Sequence, residues 1–159
     1  MYRTALAVSL TLISATSFAQ PKADTKTPPA VANPTSADAS KTGAILVTEP
    51  ELKWIADPKR PGTYTAYAEG DPAKGPAHFY LKYEKGFAGG LHYHTSDHGG
   101  WILAGTVIIE VDGKETKLPP GSFYFINGKK PHIAKCDATA DCVMTVDVRG
   151  KWDAVPVKK

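Results

Sequence analysis

From Ala44 onward the apolar residues come in short runs, many of them alternating with polar ones, and Gly, Pro, Asp or Asn punctuates nearly every gap. Successive side chains of a strand point to opposite faces, so a period of two marks a half-buried strand. The pattern predicts strands at Ile45–Thr48, Thr63–Ala68, Ala77–Glu84, Leu91–His94, Trp101–Ala104, Thr106–Val111, Glu115–Leu118, Ser122–Ile126, His132–Lys135 and Val143–Val148. No stretch sustains a helical period over three turns. The Asp112-Gly113 pair between TVIIEV and KETKL predicts a tight hairpin, because both turn positions accept positive φ. Many short strands joined by tight turns predict an all-β domain, a sandwich or a jelly-roll barrel. No glycine-rich loop leads into a helix, so nucleotide binding has no support.

The pattern changes before Ala44. Residues 20–43 are rich in Pro, Ala, Thr, Ser and Lys, with no aromatic residue and almost no large apolar one. Such a segment cannot bury enough surface to offset its ordering entropy, and is expected to be a flexible linker. Residues 1–19 carry a basic start at Arg3, an apolar stretch beginning at Ala5, and the small residues Ser17 and Ala19 around Phe18. This is the layout of a signal peptide cleaved after Ala19, so a periplasmic or secreted protein is expected. The apolar stretch is shorter than the roughly 20 residues that span a bilayer. No membrane span is therefore expected in the mature form, and residues 44–159 are read as one domain.

Length and charge narrow the function. At 159 residues and 42% hydrophobic content the chain can build one core. Its net charge of +3 falls by one when Arg3 is removed, and the lysines are interspersed with acidic residues. No basic stripe is present for nucleic acid, which leaves a small molecule as the expected partner. Cys136 and Cys142 flank a short polar turn between two apolar runs. In an oxidising compartment such a pair is expected to close a disulfide, with reduced thiols as the other reading.

The candidate chemistry lies in GFAGGLHYHTSDHGGWILAG, residues 86–105, which holds three of the five histidines. His92 and His94 sit two apart on a strand, so their imidazoles project from one face. His98 follows a polar turn, and Gly99-Gly100 allows its ring to come back toward the same point. Neutral imidazole suits Zn, Cu, Fe, Ni and Mn. Spacing alone leaves two readings open, a metal site or three histidines with ordinary hydrogen-bond partners. His132 follows an aromatic strand and a turn holding Gly128 and Pro131, whereas His78 has no such company and is read as structural.

The stretch resembles the first signature of the cupin superfamily, G-x5-H-x-H-x3-4-E-x6-G. Gly86, His92, His94, His98 and Gly105 keep every spacing, with His98 where the family usually has Glu. The second signature, G-x5-P-x-G-x2-H-x3-N, is matched without gaps by Gly121 and His132, with Asn127, Lys129 and Cys136 replacing the Pro, Gly and Asn. The resemblance implies a double-stranded β-helix, a jelly-roll barrel, with one divalent transition metal (Fe, Mn, Ni, Cu or Zn) inside. Carried over, the ligands are His92, His94, His98 and His132. An all-nitrogen, uncharged set leaves the full charge of the ion to attract an anionic or enolate-like ligand. It also removes the carboxylate that serves as a base in quercetinase-like members, with the adjacent Asp97 a candidate replacement.

Tyr93, Trp101 and Tyr124 are candidate substrate-pocket residues, against plain core packing, which is also the reading for most of the SFYFI aromatics. Lys129 and Lys130 are candidates for steering anions, against a solvated turn. The expected function is a metal-dependent oxidoreductase, dioxygenase-like, acting on a small molecule. A non-catalytic module binding a metal or small ligand is the alternative, with an isomerase or epimerase third and a homodimer as a candidate assembly.

Overall fold

The structure is a computed structural model and describes residues 43–158. The expected leader, residues 1–19, and the linker up to residue 42 lie outside the described residues. The first expected strand, Ile45–Thr48, does not form; a 3-10 turn, Glu49–Glu51, follows instead. Thr48 caps it, and the Glu51 carboxylate reaches back to the Thr48 N–H at 2.7 Å. That reciprocal cap satisfies the turn locally, so the segment needs no ladder partner.

Eleven strands follow: β1 (Ile55–Ala56), β2 (Thr63–Gly70), β3 (Ala77–Tyr83), β4 (His92–Tyr93), β5 (His98–Ala104), β6 (Val107–Val111), β7 (Lys114–Leu118), β8 (Phe123–Ile126), β9 (Ile133–Cys136), β10 (Cys142–Val148) and β11 (Val155–Pro156). They form antiparallel sheets ordered β1-β2-β3-β10-β5-β8, β7-β6-β9 and β11-β4, which do not join into one closed ladder among the described residues. The fold is all-β and antiparallel, the class that the strand pattern predicts. The β6–β7 hairpin turns at Asp112 (φ 52°) and Gly113 (φ 76°), both left-handed as the sequence predicts.

Alternation sets the core. Ala77, Phe79, Leu81 and Tyr83 of β3 point inward and meet Met144, Val146 and Val148 of β10, with Ile102 and Val107 closing the cluster. In β8 only Tyr124 and Ile126 turn inward; Phe123 and Phe125 are exposed on the outer face. The expectation that SFYFI packs on both faces is thus corrected: the outer face of β8 is covered only in part, by Trp101 against Phe123 and Arg149 over Phe125.

Two glycines let backbones approach where side chains would collide. A Cβ at Gly100 would run into the Thr145 backbone of the neighbouring β10. Gly105 takes φ 66°, and a Cβ there would meet the Asp141 carbonyl. Cys136, ending β9, and Cys142, beginning β10, are joined by a disulfide with Cα atoms 5.8 Å apart. The bond ties the three-stranded sheet to the six-stranded one.

Candidate metal centre

The backbone brings the first and fourth histidines together. His92 and His132 are direct partners in an antiparallel bridge, with His92 N–H donating to the His132 carbonyl at 3.1 Å and His132 N–H to the His92 carbonyl at 2.8 Å. Opposed residues of such a pair send their side chains to one face, and the ring centroids lie 4.5 Å apart. His94, two residues along, shares that face; its carbonyl accepts from Lys129 N–H at 2.7 Å. His98 opens β5, between Val148 of β10 and Ile126 of β8, and its ring centroid is 4.5 Å from that of His94. His94, His98 and His132 are buried, while His92 keeps an open edge.

The hydrogen bonds decide which nitrogen each ring presents. Nδ1 of His92 faces the Gly90 carbonyl at 2.8 Å, Nδ1 of His132 faces the Lys130 carbonyl at 2.9 Å, and Nδ1 of His94 faces the Asp153 carbonyl. A carbonyl only accepts, so each Nδ1 carries the proton and each Nε2 presents a lone pair. The Nε2 atoms of His92 and His94 stand 3.2 Å apart. Two facing lone pairs at that distance repel unless something positive lies between them. Adjacent nitrogen ligands on bonds of about 2.0–2.1 Å stand roughly 3 Å apart, so a first-row ion fits this spacing. Donor nitrogens of His92, His94 and His132 all lie within 4.8 Å of one another. His98 stands just outside that triad, and its buried Nδ1 has no hydrogen-bond partner among the described residues. The donor set suits a divalent transition ion.

Electrostatics keep the rings neutral. Burial, and then the neighbouring His98, hold His94 far below an ordinary imidazole, at about 2. Burial and His132 bring His98 to about 4. Burial likewise lowers His92, with a further push from the Arg60 charge, and it lowers His132. Neutral imidazole is the ligating form.

The family profile of the cupin domain matches residues 79–148. Residues 79–148 carry the cupin domain that the histidine motifs resemble. Among solved structures, the polyketide cyclase RemF of Streptomyces resistomycificus is similar over 72% of this chain and 85% of its own, with 17% identity and a TM-score of 0.62. A predicted oxalate decarboxylase of Thermotoga maritima is similar over 67% of this chain and 99% of its own, at 17% identity and TM-score 0.56. An RmlC-like cupin of Shewanella frigidimarina is similar over 65% of this chain and 87% of its own, at 16% identity and TM-score 0.54. No curated protein matches the chain.

Other expected site residues fall in different places. Tyr124 is buried against the inner cavity, its ring 6.2 Å from that of His98 and its hydroxyl donating to the Thr145 carbonyl at 3.0 Å. Trp101 lies on the outer face, 54% exposed beside Phe123, and Tyr93 alternates away from the two histidines that flank it. Neither lines the inner cavity. The Asp97 carboxylate accepts from Gly128 N–H at 2.7 Å and so staples the two motif loops together. Lys130 is engaged by Asp112 at 2.7 Å. His78 sits on the exposed side of β3 between Glu69 and Asp147, far from the cluster's face.

Sequence reasoning passes over the C-terminal segment, which shapes the site most directly after the ligands. The Trp152 ring stacks on His94, centroids 3.8 Å apart and planes 15° apart. The Asp153 carbonyl fixes the His94 tautomer, while its carboxylate accepts from Thr95 N–H at 2.7 Å and Thr95 Oγ1 at 2.5 Å. A Trp and an Asp late in the chain carry no spacing that ties them to a histidine motif. The space beside the rings is small: the inner cavity, lined by all four histidines, Tyr83 and Tyr124, holds about 20 Å³. That admits roughly one water.

Proposed function

We propose that this cupin domain binds one divalent transition ion through His92, His94 and His132, with His98 as the fourth ligand, and acts as a dioxygenase-like oxidoreductase on a small, anionic molecule. The observation that carries the reading is the convergence of one ring nitrogen each from His92, His94 and His132 within 4.8 Å, with the Nδ1 of every one of these rings turned to a backbone carbonyl. A bound ion supplies Lewis-acid and, if Fe or Cu, redox chemistry to a substrate held beside it. The four imidazoles add no charge, so an anionic or enolate-like group gains the most from approaching. The expected export after Ala19 belongs to the same reading; the disulfide supports it, and no helix among the described residues is long and apolar enough to cross a membrane.

The test is metal analysis of untagged protein, followed by dioxygen uptake against flavonols, diketones and thiols. Stoichiometric metal with turnover is the expected result. His98→Ala weakens metal binding if the fourth ligand is assigned correctly, whereas His98→Glu restores the family's usual donor. Full metal affinity in both variants overturns the four-histidine site. One observation favours a second reading, a non-catalytic binding module: the inner cavity of about 20 Å³ leaves no room for an organic molecule beside the rings. Stoichiometric metal with no turnover supports that module instead.

A further inference from the structure

We propose that the open cleft outside the histidine cluster binds a monoanionic carboxylate with an apolar, ring-sized body, its carboxylate docking on the Arg60 guanidinium. This deepens the proposed function by naming its ligand class and where that ligand sits; the docking itself needs no metal.

The cleft encloses about 410 Å³. Small-molecule sites occupy roughly 300–1,000 Å³, so it can take what the inner cavity cannot. One wall is the stacked pair Tyr83 and Phe87, ring centroids 4.6 Å apart, and Leu91 and Pro156 continue the apolar lining. Tyr83, His92 and Ala134 line both the cleft and the inner cavity. A molecule in the cleft therefore lies against the one histidine of the cluster that keeps an open edge.

The charged rim is Asp57, Lys59 and Arg60. Asp57 is already committed: its carboxylate accepts from Arg60 Nε at 2.8 Å and from Lys59 N–H at 2.9 Å. The turn is held further by Arg60 N–H to the Asp57 carbonyl at 3.1 Å and by Thr63 Oγ1 to the Arg60 carbonyl at 2.7 Å. The guanidinium is thus fixed at its Nε, and its Nη groups have no hydrogen-bond partner among the described residues. Paired N–H donors in a fixed plane match the two oxygens of a carboxylate. Two cations against one spent anion leave the rim with a single positive charge, which favours a monoanion over a dianionic phosphate ester. Lys130, by contrast, is bound by both carboxylate oxygens of Asp112.

The test is a titration of the ¹⁵N-labelled protein with benzoate and 3-phenylpropionate, and with benzamide as the neutral counterpart, in metal-free and zinc-loaded samples. The carboxylates are expected to shift the amides of residues 57–60 and 87–92. They should bind at least about tenfold more tightly than benzamide, the scale of one charge-assisted pair. Arg60→Gln should remove that preference, and Lys130→Gln should keep it. Comparing benzoate with benzamide needs no variant, so the outcome does not depend on how Arg60→Gln folds. Absence of shifts with both carboxylates, equal affinity for benzamide, or an unchanged preference in a folded Arg60→Gln protein overturns the proposal. Carboxylate binding without zinc uptake sinks only the metal reading; zinc uptake without carboxylate binding sinks only the cleft.

Discussion

At Lys129 the backbone takes φ 65°, a left-handed conformation that penalises any side chain with a Cβ. The residue stands where the second cupin signature has glycine, and its N–H holds the carbonyl of His94 at 2.7 Å. The turn must therefore keep this shape to keep His94 in place, and Lys129 bears the strain. A non-glycine residue pays about 1–2 kcal/mol in this region, while glycine's freedom in the unfolded chain returns roughly 0.5–1 kcal/mol of that advantage. Lys129→Gly is therefore expected to stabilise the fold by about 0.5–1 kcal/mol. A urea titration checks it: the midpoint should rise with unchanged slope, and a lower midpoint refutes the account. The same residue shows how a motif is legible. Gapless spacing located the turn even though two of its usual residues are replaced, because the turn is required by where the flanking strands must go.

Among the elements, β11 and the segment leading into it act as a clamp on β4. Val155 and Pro156 pair with Tyr93 and His92, Val157 N–H donates to the Leu91 carbonyl at 3.1 Å, and Asp153 grips Thr95. Partners that orient a metal ligand typically change affinity by about 10–100-fold when removed. Asp153→Ala should weaken zinc binding by up to about tenfold, measured by competition with a chromogenic chelator, because Thr95, next to His94, loses the carboxylate that holds it, and the Asp153 carbonyl that meets His94 Nδ1 is no longer tethered. Unchanged affinity in a folded variant would show the clamp to be irrelevant to the ion. Nothing in the sequence pointed here. Strands of two residues, such as β1 and β11, are too short to show alternation, and their pairing is set by their partners, β2 nearby in the chain and β4 far from β11. The longer strands were legible because each buries one face: β3 and β10 alternate over their whole length. Ile45–Thr48 misled for the same reason in reverse, since a brief apolar alternation is also what a capped turn can carry. Arg60 carries no signal in the sequence, because the cleft it lines is assembled by residues from Asp57 to Pro156.

Across the whole molecule, the sheets enclose four imidazoles that share one buried space, and this couples stability to pH. Each of the four is held below its ordinary value of 6.5, chiefly by burial, with His98 at about 4 and His94 at about 2. In the unfolded chain these groups take up protons as the pH falls through about 6.5. The folded protein refuses them until far lower pH, so the unfolded state binds more protons and gains on the folded one. Stability from this source is full above about pH 6.5 and declines below it, for His98 down to about 4 and for His94 down to about 2. Acidic groups held low by their partners, such as Asp57 beside Arg60, contribute only once the pH falls below the carboxylate range, so the span from about 6.5 to 4.5 belongs to the histidines. Metal-free protein should therefore show a lower urea midpoint at pH 5 than at pH 7.5. His98→Gln, which removes one of the four proton acceptors, should flatten that dependence. A bound ion needs the same neutral rings, so adding zinc should raise the midpoint at pH 7.5 and lose most of its effect at pH 5. Equal midpoints at the two pH values in the metal-free protein would mean that the rings are already reached by solvent and protonated without cost.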